Sequence, residues 1–418
     1  MEQIEKWEDT KLLIVDEISF ASKSDFELLD NKLRQLKQNP NKAYGGLHIV
    51  FAGDYHQLEP VGAIKRPVYN EPCVQLQDWL NCYMELEGMH RFKNDPEWGE
   101  LLIRWRNEEI TTHDIDKINE RVVTNDTKLP HNIKYATYYN KDRDAINAGL
   151  FDTRCNLIQH NFNSTDDSII IFSDHVLIKN SNKVFQPLIN ARKFWDECGE
   201  DDVKLPRGKG RMDPVLRLYK GIQVMLTQNI DVTAGLANGT QATVDCIALK
   251  PETQPTYVQI NQNVKVKAVF ASDVEYIQLR HTNKNIHPPT FQMTPTQMKF
   301  NAKFKVSALD KNKKNETKFV EMKATQVPIV VNNATTGHKL QGQGVESLFI
   351  HNWNYVTNWP YVMLSRVKTR KGLYLRQPLS KDLSKYKKPE NLRKMIDAMK
   401  SKTPTEFTEH QYNTYFMS

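Results

Sequence analysis

Two periodicities organise the apolar and polar positions of this chain. Leu12-Leu13-Ile14-Val15 and Leu47 to Ala52 are short unbroken apolar runs, the pattern of parallel strands buried on both faces. Between them Phe26, Leu29, Leu33 and Leu36 recur at helical spacing and predict a helix over 25–36. Glu97 to Trp105 reads as a further helix, Lys134–Tyr139 as a strand, and the residues around Asp144–Phe151 as the helix after it. Strands alternating with helices argue an α/β sheet. From Gly221 the pattern changes to short strands, at Gln223–Leu226, Thr240–Leu249, Thr256–Ile260, Val264–Phe270 and Thr317–Ala324, so 240–325 reads as a small β-rich insert. After Val327 the α/β alternation returns through Ser347–Ile350 and Gly372–Leu375. Residues near 157–215 are irregular, with a polar loop at Glu197–Gly210. Beyond Ser380 the chain is lysine-rich, with an amphipathic helix expected near Pro389–Met399.

Composition narrows the class only slightly. A length of 418 residues allows two to three domains, and 39% hydrophobic residues supply an ample core. No apolar run reaches the length of a membrane span. The net charge of +7 permits a polyanionic partner without establishing one. Five widely spaced cysteines, Cys73, Cys82, Cys155, Cys198 and Cys246, form no paired metal pattern and read as reduced thiols of an intracellular protein. The charged stretch Met1 to Lys11 lacks the apolar centre of a signal peptide.

Chemistry enters where the first strand runs into Asp16-Glu17. Ligands of such sheets sit beyond the carboxyl ends of the strands. Two acids there suit a metal–phosphate site, with Asp16 holding Mg²⁺ and Glu17 polarising a water; an ordinary solvated strand end is the plainer reading. The second strand ends in Gly53-Asp54-Tyr55-His56-Gln57-Leu58-Glu59-Pro60-Val61, where glycine allows a sharp turn and Gln57 can donate to a phosphate oxygen or orient a water. Tyr361-Val362-Met363-Leu364-Ser365-Arg366-Val367 puts an arginine after an apolar helix face. Arg366 is either a surface residue or an arginine finger for a transferred phosphoryl group. The stretch Lys299 to Lys323 interleaves Lys303, Lys305, Lys311, Lys313 and Lys314 with Phe300 and Phe304, which suits either a solvated hairpin or a groove wall for single-stranded DNA. The tail Lys381–Lys402 reads mainly as solvated helix.

Taken in order, these stretches resemble the superfamily 1 helicases of the 5′→3′ class, and within them the Pif (petite integration frequency) family. Val15-Asp16-Glu17-Ile18-Ser19 resembles the Walker B motif. Gly45-Gly46 followed by Gly53-Asp54 through Gln57-Leu58 and Pro60-Val61 resembles motif III, with Glu59 where the family usually has proline. Arg91, in Met89-His90-Arg91-Phe92, matches the motif IV arginine. Asn140 to Asn147 resembles the opening of the second RecA-like domain, and Gly221 to Leu226 with Asn229 and Asn238-Gly239-Thr240 the lead into a small β domain. Thr336 to Gly342 resembles motif V and Tyr361 to Val367 motif VI.

The resemblance implies an α/β fold of two RecA-like P-loop NTPase-type domains with a β-rich, SH3-like insert in the second. The first would be truncated over 1–130, the second would take 131–239 and 326–380, the insert 240–325, and a basic tail 381–418. It implies ATP and Mg²⁺ as cofactors, with Asp16 on Mg²⁺, Glu17 activating water, Gln57, Arg91 and Arg366 on the γ-phosphate, and Gly53, Asp54, Gln341 and Gly342 around the nucleotide. Single-stranded or fork DNA would meet Thr336, His338 and Lys339, with Phe300, Lys303 and Lys305 on the insert. No membrane partner is implied. One departure is large: no Gly-Lys-Ser or Gly-Lys-Thr occurs, so the phosphate-cradling loop G-x-x-x-x-G-K-[ST] is missing. A fragment of an ATP-dependent DNA helicase of replication, repair, recombination or telomere maintenance is expected, with the loop on an upstream segment or another polypeptide. A catalytically inactive single-strand-binding remnant is the alternative. The expected location is intracellular, the nucleus ahead of the mitochondrion in a eukaryote.

Overall fold

The computed structural model describes residues 2–60, 66–86, 88–130, 133–159, 167–177, 213–262, 264–283, 285–305 and 317–402. Val61, the Glu197–Gly210 loop, Cys198, Lys311, Lys313 and Lys314 lie outside these residues, as do the side chains of Phe300, Lys303 and Lys305. The chain divides into two compact units, one of residues 1–138 with 336–418 and the other of 139–335. Among the described residues no helix is long and apolar enough to cross a membrane.

In the first unit, Leu12–Val15 and His48–Phe51 pair in parallel, Leu12 opposite His48 and Val15 opposite Phe51. Lys23–Leu36 connects them. Its start is fixed by Asp25, whose Oδ2 accepts from the Ser22 amide at 2.9 Å and from the Ser22 hydroxyl at 2.7 Å. The expected burial on both faces does not hold. Leu12, Ile14 and Val50 are 51%, 62% and 47% exposed, whereas Val15 and Phe51 join a buried cluster. Only one face of this two-stranded sheet is covered by described residues, and successive side chains of a strand alternate between faces.

That cluster holds Ile18, Phe26, Tyr69, Cys73 and Leu76, and the C-terminal helix Glu390–Lys400 closes it with Leu392, Met395 and Met399. The tail helix read as solvated is therefore docked through its apolar stripe. A second core surrounds three parallel strands, Lys134–Thr137, Leu348–Ile350 and Leu373–Leu375. Helix Pro96–Arg106 packs there through Trp98, Leu101, Leu102 and Trp105. Asp95 caps it, accepting from the Trp98 amide at 3.1 Å, and Pro96 occupies the first turn, where no amide donor is needed.

The second unit is largely strands. Val215–Leu218, Ile169–Phe172, Lys265–Phe270 and Thr256–Gln259 form one sheet. Thr290–Met293, Val274–His281, Gln241–Leu249, Gln223–Leu226 and Ile329–Val331 form another, and Thr296–Lys305, Thr317–Gln326 and Asp174–Leu177 a third. The 240–325 stretch is thus not a free-standing body inside 131–380. Its strands hydrogen-bond to segments that precede it, with Val224 opposite Ala242 and Ile171 opposite Val269. Side chains of Ile171, Leu216, Val244, Ile277 and Ile329 share one core.

Candidate functional site

The acid pair stands at the carboxyl end of the first strand, as that strand's apolar run demanded. Glu17 has φ 55°, a left-handed conformation uncommon for a side-chain-bearing residue, and its amide donates to Asp16 Oδ1 at 2.7 Å. The next residue opens the 3-10 turn Ile18–Phe20, its amide donating to the Ala52 carbonyl at 3.1 Å. Gly53 follows directly, and a Cβ there would lie 2.8 Å from the Ile18 nitrogen, so glycine is required for the two strand ends to approach.

Gln341 joins these ends to the second core. Its amide nitrogen donates to Glu17 Oε2 at 3.0 Å and Ser19 Oγ at 3.1 Å, and its oxygen accepts from the Leu58 amide at 3.1 Å. One buried side chain therefore holds the acid-bearing turn and the Gln57-bearing loop together. Gly342 lies against the same acid, a Cβ there reaching 3.1 Å from Glu17 Oε1. Gln57 has its backbone carbonyl held by Asn358 Nδ2 at 3.1 Å, and its side-chain Oε1 is buried without a hydrogen-bond partner.

Arg366 is 2% exposed and satisfied by neutral groups. Its Nε donates to the Val362 carbonyl at 3.0 Å and a terminal nitrogen to Ser365 Oγ at 2.8 Å. No ion pair among the described residues answers its charge. Burial, and then the neighbouring Arg91 charge, lower its pKa to about 10, against the pull of Glu17 and Asp54. Arg91 donates to the Ser365 carbonyl at 3.2 Å. Two cations thus converge, each hydrogen-bonded to neutral oxygens and without an ion pair among the described residues, so an anion placed there would meet both charges. The residues fit a nucleotide phosphate on that ground. They also fit Mg²⁺: no three His, Cys, Asp or Glu cluster as metal ligands among the described residues, but Mg²⁺ beside phosphates needs only one or two carboxylates, which Asp16 and Glu17 supply.

The other expected residues take varied positions. Asp54 pairs with Arg106 at 2.5 Å and accepts the His56 amide at 2.9 Å, which shapes its loop. Thr336 precedes the short helix Gly337–Leu340, His338 is half-buried with its pKa lowered by burial, and Lys339 is exposed. Phe300, Lys303 and Lys305 belong to the Thr296–Lys305 strand of the second unit. Sequence reasoning missed Ser19, Arg106 and Asn358. Ser19 stands two residues after Glu17, while the other two reveal themselves only through contacts far apart in sequence.

A model of the PIF1-like helicase family matches residues 1–97, and a model of the DNA helicase Pif1 2B domain matches residues 210–246. The ATP-dependent DNA helicase PIF1 of Danio rerio is 29% identical over 243 residues, covering 57% of this chain and 32% of the relative. The ATP-dependent DNA helicase PIF6 of Trypanosoma brucei brucei is 22% identical over 405 residues, 90% of this chain and 42% of the relative. This chain thus spans well under half the length of these relatives. Among solved structures, Pif1 helicase from Bacteroides in complex with ADP-AlF3 and ssDNA superposes with a TM-score of 0.60 at 21% identity, covering 95% of this chain and 77% of that one. The fold is that of the Pif1 helicases, with their two RecA-like domains.

Proposed function

We propose that this chain, a Pif1-type superfamily 1 helicase by sequence and fold, carries the acid and arginine side of an ATP-driven 5′→3′ DNA helicase site. The observation that supports this best is the Gln341 amide, which joins the Glu17 turn to the Gln57 loop, together with the buried Arg366, which has no ion pair among the described residues. Asp16 would hold Mg²⁺ and Glu17 would orient and deprotonate the attacking water. Gln57, Arg91 and Arg366 would meet the γ-phosphate, whose charge the two cations neutralise. Single-stranded or fork DNA is the proposed partner, in replication, repair, recombination or telomere maintenance. The 418 residues hold no G-x-x-x-x-G-K-[ST], so in this reading the amide cradle and its lysine would be supplied by a further segment.

ATP turnover with and without oligothymidylate tests the reading. The chain as it stands is expected to turn over nothing. Fused behind a family-type segment carrying the cradle, it should show DNA-stimulated hydrolysis that Glu17→Gln abolishes. Turnover by the chain alone, or turnover by the fusion that survives Glu17→Gln, overturns it. The lost cradle also favours a second reading, an inactive single-strand-binding remnant, for which a fusion that binds DNA yet never hydrolyses ATP is the expected result.

A further inference from the structure

A cavity of about 240 Å³ lies in the first unit, between the loop 355–358, the end of the Pro96–Arg106 helix and the segment 385–389. Three aromatic rings gather on it. Trp105 and Tyr386 lie 4.7 Å apart between centroids, and Tyr355 lies 5.9 Å from Tyr386. Cations border the same space: Lys385 stands 4.9 Å over the Tyr355 ring, and Arg106, Lys387 and Lys388 also line it. His56 lines it too, with Nδ1 buried and lacking a hydrogen-bond partner. The rings are fixed rather than loose, since Tyr355 Oη accepts from the Ser380 amide at 3.0 Å and Tyr386 Oη donates to the Ser380 carbonyl.

Flat rings beside lysines match a ligand that is itself a flat ring joined to an anion. Base–aromatic stacking combined with backbone-tracking cations is how proteins hold single strands. The volume is below the roughly 300–1,000 Å³ of sites enclosing a drug-sized ligand, so it suits one nucleotide unit better than a whole cofactor. Paired bases present no free ring face, which excludes duplex. We propose that this cavity is a subsite for one nucleotide of single-stranded DNA, its base stacked on Tyr355 with the tilted Tyr386 ring against its edge, and its phosphate met by Lys385 and Lys387. The proposal rests on the helicase reading above and adds a contact made by the basic segment after Ser380, which the site at Asp16 does not use. Burial, outweighing Asp54, and the Arg106 and Lys388 charges lower the His56 pKa to about 4, so its ring meets a ligand as a neutral hydrogen-bonding group.

The test is anisotropy of labelled oligothymidylate across a salt series, with photo-crosslinking of a 5-iodouracil-substituted strand mapped by mass spectrometry. Crosslinks should fall on Tyr355 or Tyr386. Tyr355→Leu should weaken binding about fivefold or more while Tyr355→Phe, which keeps the ring, binds like the parent. Lys385→Ala should reduce the salt slope by about 0.7, one phosphate contact on a single strand. If the strand binds but Tyr355→Leu and Lys385→Ala both stay within twofold and crosslinks fall elsewhere, the subsite is wrong and the helicase reading stands. If dTMP alone competes as well as the oligonucleotide at equal nucleotide concentration, the cavity takes free nucleotide and the proposal fails. Absence of any single-strand binding removes the subsite and the helicase reading together.

Discussion

Arg366 is a buried cation surrounded by carbonyl and hydroxyl oxygens, and such charges cost stability unless something opposite meets them. Arg366→Met is therefore expected to hold or raise the thermal midpoint of the chain, read by differential scanning fluorimetry, while the same change lowers ATP turnover of the cradle-bearing fusion by about 10³. A clear drop in midpoint would make Arg366 a structural residue instead. Gln341 behaves oppositely. Gln341→Ala strips the partner from the buried Leu58 amide and from Ser19, so it should destabilise by about 1–3 kcal/mol, measured by urea unfolding. His56 gives a pH signature. Its folded pKa, about 4, lies below the ordinary value of 6.5, so the unfolded chain binds the proton first as pH falls. The neutral ring's contribution is intact above about pH 6.5 and is lost as pH falls toward 4. His56→Gln should retain on the order of 2 kcal/mol more stability than the parent at pH 4.5 relative to pH 7, seen in paired urea midpoints.

At the level of elements, local pattern foretold local structure well. The spacing of Phe26, Leu29, Leu33 and Leu36 announces the helix found at Lys23–Leu36, and Gln223–Leu226 forms the strand its apolar residues suggest. The acid pair and Gln57 were legible because apolar runs end just before them. What pattern does not carry is which element covers which. The Glu390–Lys400 helix is amphipathic in sequence, yet nothing within it says that Leu392 meets Cys73, more than 300 positions earlier. The aromatic cavity escaped notice for the same reason: Trp105, Tyr355 and Tyr386 look like unrelated rings until the chain folds. Docking of that helix has its own readout. Cys73 is fully buried beneath it as a free thiol. Leu392→Ala should cost about 2–5 kcal/mol and speed alkylation of Cys73, followed by peptide mapping to separate it from the exposed Cys246. Unchanged Cys73 labelling would mean that the helix does not guard this core.

Across the whole molecule, each unit owns its core, the first around Trp98 and Trp359 and the second around Ile171 and Ile277. The sequence pattern led to a different partition because it divides by composition, whereas ladders such as Val224 to Ala242 bind a β-rich stretch to the segments that precede it. One surface remains unusual at this scale. Leu12, Ile14 and Val50 present aliphatic side chains to solvent on a sheet of two strands, each also an edge among the described residues. Unpaired edges and exposed apolar faces template contact between molecules. The consequence concerns how the polypeptide behaves in a tube: colloidal stability should be its weak point, with light scattering rising steeply with protein concentration even where the fold is intact. Ile14→Lys with Val50→Thr should suppress that rise without moving the unfolding midpoint by more than about 0.5 kcal/mol, the usual reach of exposed substitutions.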